Sequence, residues 1–194
     1  MSKSRVEAFT DGIIAILIAI LITILVLDLR PPEGVSWSAL HQLIEPFLAY
    51  VVSFVAIAIY WNNHHHLYQT VKRIDGIVLW ANTALLFWLS LLPFATAWVG
   101  ENLTAMLPEL SYAIVSFMCG LTYNLLDRCL IHANGQNSRV AVISQHDHKR
   151  WLSLLIYFIG CLLTLVWPPA GLVASIVVSI LWFIPNRRVE QEFR

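Results

Sequence analysis

Residues 5–27 read RVEAFTDGIIAILIAILITILVL, a short charged cluster followed by a long apolar run. The run from Gly12 to Leu27 contains no charged side chain, and a few flanking residues bring it to the roughly 20 residues that a membrane-spanning helix needs. Glu7 and Asp11 interrupt the positively charged start that a signal peptide would have, and no small-residue cleavage site follows Leu27. The stretch therefore predicts a retained transmembrane helix.

The rest of the chain has the same apolar character. Of its 194 residues, 58% are hydrophobic and 12% are charged, against roughly 25% charged residues in a typical soluble domain. The mean hydropathy is +0.70, and the apolar runs do not alternate with period 2, which argues against a β-barrel. We expect one all-α integral membrane unit over residues 1–194. Six transmembrane helices are predicted, at about 6–29, 43–66, 74–99, 108–130, 149–167 and 169–186.

The positive charges predict how these helices are oriented. Lys and Arg total 12, and all of them except Arg30 lie in the amino terminus, the second and fourth connections or the carboxyl-terminal tail. Because cytoplasmic segments of membrane proteins carry an excess of Lys and Arg, we predict that both termini are cytoplasmic. Asp and Glu also total 12, so the chain has no net positive charge with which to bind nucleic acid.

The charged cluster at the start of the first helix is unusual for a membrane boundary. Glu7 and Asp11 are four residues apart, so a helix places two like charges on one face, which is unfavourable without partners. Arg5 and Asp11 lie about 240° apart around a helix and cannot easily pair with each other. We therefore expect partners on other helices, and His64–His66 lie on the same predicted side of the membrane.

One face of the first helix combines apolar and small residues at helical spacing. Its members are Gly12, Ile16, Ala19, Ile20, Thr23 and Leu27. Such a face packs against lipid or a bundle core, and its small residues allow neighbouring helices to approach closely. It would also suit several copies of the helix around an axis, with isoleucine rings that gate by excluding water. The pattern alone leaves these alternatives open.

Polar residues elsewhere predict neither a metal site nor a catalytic one. Ligands that share one metal usually lie three or four residues apart on a helix, a spacing absent from His64–His66. The three cysteines are far apart and lack CxxC spacing, so no zinc site or disulfide framework is predicted. No catalytic or nucleotide-binding motif occurs, so we do not expect an enzyme or a cofactor. Asn82 lies inside the third predicted helix, where its amide needs a partner on another helix.

Several motifs resemble those of a known channel family. Arg5-xxx-Phe9-Thr10-Asp11 resembles the RxxxF[ST]D signature of the prokaryotic homologues of transmembrane protein 175, an endolysosomal potassium channel. Trp61-x-x-His64-His65, Asn82 and Pro93-Phe94-x-Thr96 are similar to later motifs of that family. The resemblance covers the first three predicted helices, whereas the last three match only in hydropathy.

The resemblance implies a potassium-permeable leak channel in a prokaryotic cell membrane, without the TVGYG filter of other potassium channels. It implies a homotetramer in the lipid bilayer, with the first helices lining the pore and K⁺ as the permeant ion. Ile16 is then the expected narrowest ring, and Ala19, Ile20, Thr23 and Leu27 lie along the same path. The residues expected to hold the pore helix in place are Arg5, Phe9, Thr10, Asp11, His64, His65 and Asn82.

The sequence departs from the family pattern at two positions, and two other functions stay open. Family members often carry Ser or Thr where this chain has Ala15 and Ala19, which leaves Thr23 as the hydroxyl of the stripe. Acidic residues of the outer connections, including Glu101 and Glu109, are expected to raise the cation concentration at the mouth. The alternatives are a histidine-rich membrane metal or redox protein and a proton-coupled secondary transporter that uses Asp11 and Glu7 as proton carriers.

Overall fold

The computed structural model describes residues 2–28, 36–37, 41, 43–145 and 148–183, and this part of the chain is a bundle of α-helices. The all-helical class predicted from the sequence is confirmed, since none of the described residues is in a β-strand. In chain order the helices are α1 Lys3–Asp28, α2 Ile44–Gln69, α3 Gly76–Ser90, α4 Leu92–Gly100, α5 Met106–Asn134, α6 Arg139–Gln145, α7 Lys149–Thr164 and α8 Ala170–Phe183.

Four segments of the described chain are long and apolar enough to cross a membrane: α1, α2, the α3–α4 pair and α5. Helix α7 has 16 residues and α8 has 14, fewer than the roughly 20 that a perpendicular span requires. The count of six spans and the cytoplasmic location of both termini therefore stay predictions. The basic tail that supports the predicted orientation, Arg187, Arg188 and Arg194, lies outside the described residues.

The third predicted helix, about 74–99, corresponds to one candidate span, Gly76–Gly100, which is interrupted once at Leu91. Helix α3 ends at Ser90, Leu91 lies between the helices, and α4 begins at Leu92 with Pro93 in its first turn. Proline has no backbone N–H to donate, and its ring clashes with the carbonyl of the fourth residue before it. A helix therefore breaks just before Pro93, and the chain continues as a second helix from Leu92.

Helix α5 is the centre of the subunit and packs against α3, α4, α6, α7 and α8. It ends at Asn134, followed by Gly135 at φ +91°, a conformation that favours glycine. The Asn134 side chain accepts hydrogen bonds from the backbone N–H groups of Lys72 and Arg73, at 3.0 and 2.9 Å. The carboxyl-terminal ends of α2 and α5 are thus tied together at one end of the bundle.

The remaining helices surround this centre. Helix α1 packs against α2, α3 and α4, whereas α7 and α8 form a pair that packs on α5. The α7–α8 contact is close because Gly160 has no side chain, and a Cβ placed there would lie 2.6 Å from the Cβ of Ala174. Helix α1 therefore lies at the edge of the subunit, with one side facing away from it.

Candidate pore helix and its supporting network

Helix α1 has one buried and one exposed face. The side chains packed inside the subunit recur every three or four residues and are each at most 5% exposed: Val6, Thr10, Ile14, Leu17 and Leu21. The predicted pore stripe lies on the other side, where Gly12, Ile16, Ala19, Ile20 and Thr23 are all exposed. Ile16 is 60% exposed and Ile20 43%. The side chain of Leu27, the last predicted member of the stripe, lies outside the described residues.

The exposed face of α1 is apolar. In the most apolar stretch of α1 only 22% of the residues are buried in the subunit, whereas 50% are buried in the most apolar stretch of α5. Thr23, the hydroxyl of the stripe, donates its proton to the backbone carbonyl of Ala19 at 2.8 Å, as threonines inside membrane helices commonly do. The face therefore offers aliphatic surface to lipid, to another subunit or to an axis between subunits.

A buried polar cluster joins α1 to two other helices. The Asn82 side chain on α3 donates to the Thr10 hydroxyl on α1 at 2.9 Å, and its carbonyl oxygen lies 2.9 Å from His64 Nε2 on α2. All three residues are at most 2% exposed, and the His64 ring stacks on Tyr68 with centroids 4.2 Å apart. Hydrogen bonds of this kind hold membrane helices at a fixed rotation relative to one another.

Asp11 makes a second contact between α1 and α2. Its carboxylate accepts a hydrogen bond from the Trp61 indole N–H at 3.0 Å. The Trp61 ring also stacks on His65, whose Nε2 lies 2.8 Å from the Gln69 amide. The Asp11–Trp61 contact lies near the end of α1 that the sequence predicts to be cytoplasmic.

The structure thus brings together Thr10, His64 and Asn82, with Asp11 beside them. Arg5 and Phe9 are exposed on the single subunit, and Phe9 is 53% exposed. Their part in holding the pore helix stays a prediction. Among the described residues, no three His, Cys, Asp or Glu side chains come close enough to hold a metal ion.

An ion pair that the sequence reading missed fixes the other side of the bundle. Asp127 on α5 pairs with Arg150 on α7, and both side chains are buried. The second Asp127 oxygen accepts a hydrogen bond from the Ser144 hydroxyl at 2.6 Å, which attaches α6 to the same point. The sequence signal was an acidic residue inside an apolar helix, because such a group usually has a partner.

The expectation that Glu109 contributes to an acidic outer mouth is wrong. Glu109 lies in the first turn of α5 and is 0% exposed. One carboxylate oxygen accepts a hydrogen bond from the backbone N–H of Leu172 at 3.0 Å, in the first turn of α8. A Cβ at Gly171 would lie 2.8 Å from the Glu109 carbonyl oxygen, so glycine permits this approach. Glu101 is exposed, as expected.

Comparisons with known proteins show the family of this chain. A family model described as "Endosomal/lysosomal potassium channel TMEM175" matches residues 5–93, which include most of α1 and the polar cluster around Asn82. A protein named potassium channel from Chryseobacterium sp. (strain P1-3) is 41% identical over 194 residues, covering 100% of this chain and 99% of its own length.

Two further comparisons agree. The human protein named endosomal/lysosomal proton channel TMEM175 is 34% identical over 103 residues, covering 49% of this chain and 20% of its own length. The crystal structure of a lysosomal potassium-selective channel TMEM175 homolog from Chamaesiphon minutus superposes with a TM-score of 0.74 at 25% identity, covering 93% of this chain and 95% of that one. The chain therefore belongs to the TMEM175 channel family.

Proposed function

We propose that this protein is a potassium-permeable leak channel of the cell membrane, formed by four identical subunits whose α1 helices surround a pore. The observation that carries the proposal is the division of α1 into a buried face and an exposed apolar face centred on Ile16. A single helix cannot enclose a conduit, so this face needs other copies of itself. The full-length likeness to a protein named potassium channel supports the assignment of K⁺ as the permeant ion.

Ile16 forms the narrowest ring in this proposal, with Ala19, Ile20, Thr23 and Leu27 further along the pore. A ring of isoleucine side chains sets conductance by limiting how much water remains around a passing ion. The K⁺ ion sheds part of its hydration shell there, and pore water and helix dipoles compensate in place of a carbonyl filter. With Ala19 on this face and Ala15 one residue before Ile16, no hydroxyl ring lies next to the constriction.

The buried cluster of Thr10, His64 and Asn82 acts as a scaffold in this proposal. The 2.9 Å hydrogen bond from Asn82 to Thr10 fixes the rotation of α1 about its own axis, and the 2.9 Å contact with His64 holds the Asn82 side chain in place. Successive residues differ by about 100° around a helix, so a small rotation of α1 would move Ile16 away from the pore. Asp11 holds α1 in the same orientation through its hydrogen bond with Trp61. Arg5 and Phe9 are exposed on the single subunit and act between subunits in this arrangement.

The experiment is a cation flux assay with the protein reconstituted in liposomes. Ile16→Asn places a polar side chain in the ring, so we expect a higher K⁺ conductance and a smaller difference between the K⁺ and Na⁺ permeabilities. Ile22→Asn is the matched control, because Ile22 is also exposed but lies about 240° around the helix from Ile16. Unchanged currents in Ile16→Asn, or equal changes in both variants, would remove Ile16 from the constriction.

A further inference from the structure

A second buried polar cluster attaches helix α4 to its neighbours. The Thr96 hydroxyl on α4 donates to the Ser53 hydroxyl on α2 at 2.6 Å, and the Ser53 oxygen lies 3.1 Å from the Tyr112 hydroxyl on α5. Ser53 and Tyr112 are 0% exposed, and Thr96 is 4% exposed. We call these three residues the hydroxyl cluster. Its hydrogen bonds join α4, α2 and α5 at one point inside the bundle.

The bond from Thr96 to Ser53 is more than a threonine in a membrane helix requires. The carbonyl oxygen of Leu92 lies 2.6 Å from the Thr96 hydroxyl and is an acceptor within α4 itself. Threonines inside membrane helices commonly donate to such a carbonyl, as Thr122 on α5 does to the carbonyls of its own helix. The contact with Ser53 is therefore a connection between helices and not only the satisfaction of a buried hydroxyl.

Helix α4 needs an attachment of its own because it is separated from α3. The break at Leu91 and Pro93 interrupts the helical hydrogen bonds, so α4 is not a rigid continuation of α3. Helix α1 packs against both of them. Asn82 holds α1 to α3 through Thr10, whereas α4 is held to α2 and α5 through the hydroxyl cluster.

The two clusters lie at different depths along α1. Helix α4 follows α3 and also packs against α1, so α1 and the α3–α4 pair run in the same direction. Thr96 is 14 residues after Asn82, which corresponds to about 21 Å along the pair. Since Asn82 bonds to Thr10, Thr96 lies at about the depth of residue 24 of α1. Ile16 is therefore between the levels of the two clusters.

We propose that the hydroxyl cluster is a second positioning site for the pore helix, one that holds the part of α1 beyond Ile16 by holding α4. The proposal rests on the channel proposed above, in which Ile20 and Thr23 line this part of the pore. The Asn82 cluster then fixes α1 on one side of the constriction, and the hydroxyl cluster fixes it on the other. This arrangement gives the Pro93-Phe94-x-Thr96 motif a role, since Pro93 separates α4 from α3 and Thr96 anchors it.

The first test is hydrogen–deuterium exchange of the full-length protein in lipid nanodiscs. Thr96→Val keeps the shape of the side chain and removes one hydrogen bond between helices. A bond of about 0.6 kcal/mol corresponds to about a threefold change in local opening, so the amides of residues 17–24 should exchange about threefold faster. Ser53→Ala removes both bonds of the cluster and should have the larger effect. Residues 10–15 should exchange as in wild type in both variants.

The second test is the ratio of K⁺ to Na⁺ permeability in liposomes that hold the same proteins. Pore diameter contributes to ion selectivity, so a less firmly held ring beyond Ile16 should lower this ratio in Thr96→Val. Thr96→Ser keeps the hydroxyl and should restore the wild-type ratio. Tyr112→Phe keeps the ring and removes one bond, so it should change the ratio in the same direction as Thr96→Val. Thr122→Val is the matched control, because Thr122 is 6% exposed and its printed bonds stay within α5.

Three results would overturn the proposal. The first is equal exchange of residues 17–24 in Thr96→Val and Thr122→Val. The second is faster exchange with an unchanged permeability ratio, which would make the cluster a packing contact only. The third is an equal increase over residues 10–15 and 17–24, because the two parts of α1 would then not be held separately. A wild-type protein that carries no K⁺ would refute the proposed channel and with it the role in the pore, while the exchange pattern would still show whether the cluster holds α1.

Discussion

Replacing Asn82 by Ala should loosen the attachment of α1 to the subunit. The substitution removes two hydrogen bonds of 2.9 Å, one to Thr10 and one to His64. Hydrogen bonds between membrane helices average about 0.6 kcal/mol each, so the direct loss is about 1.2 kcal/mol. Thr10 and His64 are at most 1% exposed, and the polar groups left without a partner add roughly 1–3 kcal/mol. The expected destabilisation is therefore about 2–4 kcal/mol.

The assay is reversible unfolding of the purified protein in mixed micelles, followed by tryptophan fluorescence. Thr83→Ala is the control: Thr83 is exposed one residue further along α3, and its hydroxyl bonds only to the carbonyl of Leu79 in the same helix. That variant should stay within about 0.5 kcal/mol of wild type. If Asn82→Ala is no less stable than Thr83→Ala, the cluster does not hold α1, and the scaffold role in the proposed channel is refuted.

Two further substitutions test the packing of the other helices. Asp127→Asn leaves Arg150 as a buried charge without its ion pair, so we expect the free energy of unfolding to fall by about 3–5 kcal/mol in the same assay. A smaller decrease than in Asn82→Ala would contradict the importance of this ion pair. Gly171→Ala places a Cβ 2.8 Å from the Glu109 carbonyl oxygen, and overpacking of this kind costs about 1–3 kcal/mol. Gly76→Ala, where nothing lies within 4 Å, is its control, and equal melting temperatures for the two variants would show that α8 can move away from α5.

The sequence predicts the character of α1 well because membrane insertion depends on local composition. An apolar run of helical length between charged residues is visible without any tertiary information. That Asn82 needs a partner on another helix also follows from its position in an apolar segment. Which partner it finds does not, since His64 and Thr10 are 18 and 72 residues away in the chain.

Glu109 and the buried hydroxyl groups of α5 show where the sequence is not sufficient. An acidic residue in the first turn of a helix is usually exposed, and its negative charge interacts favourably with the positive end of the helix dipole. Glu109 is instead buried because the first turn of α8 lies directly beside it, where Gly171 has no side chain. The spacing of Tyr112 and Ser116 along α5 is present in the sequence, but only the packing of α2 and α8 shows that the Tyr112 hydroxyl meets Ser53 and the Ser116 hydroxyl meets Ser175.

The most direct test of the proposed channel is the structure of the full-length protein in a lipid bilayer. We expect four copies around an axis, with the α1 helices innermost and the four Ile16 side chains at the narrowest point. A single subunit that conducts alone, or an assembly in which Ile16 faces lipid, would contradict it.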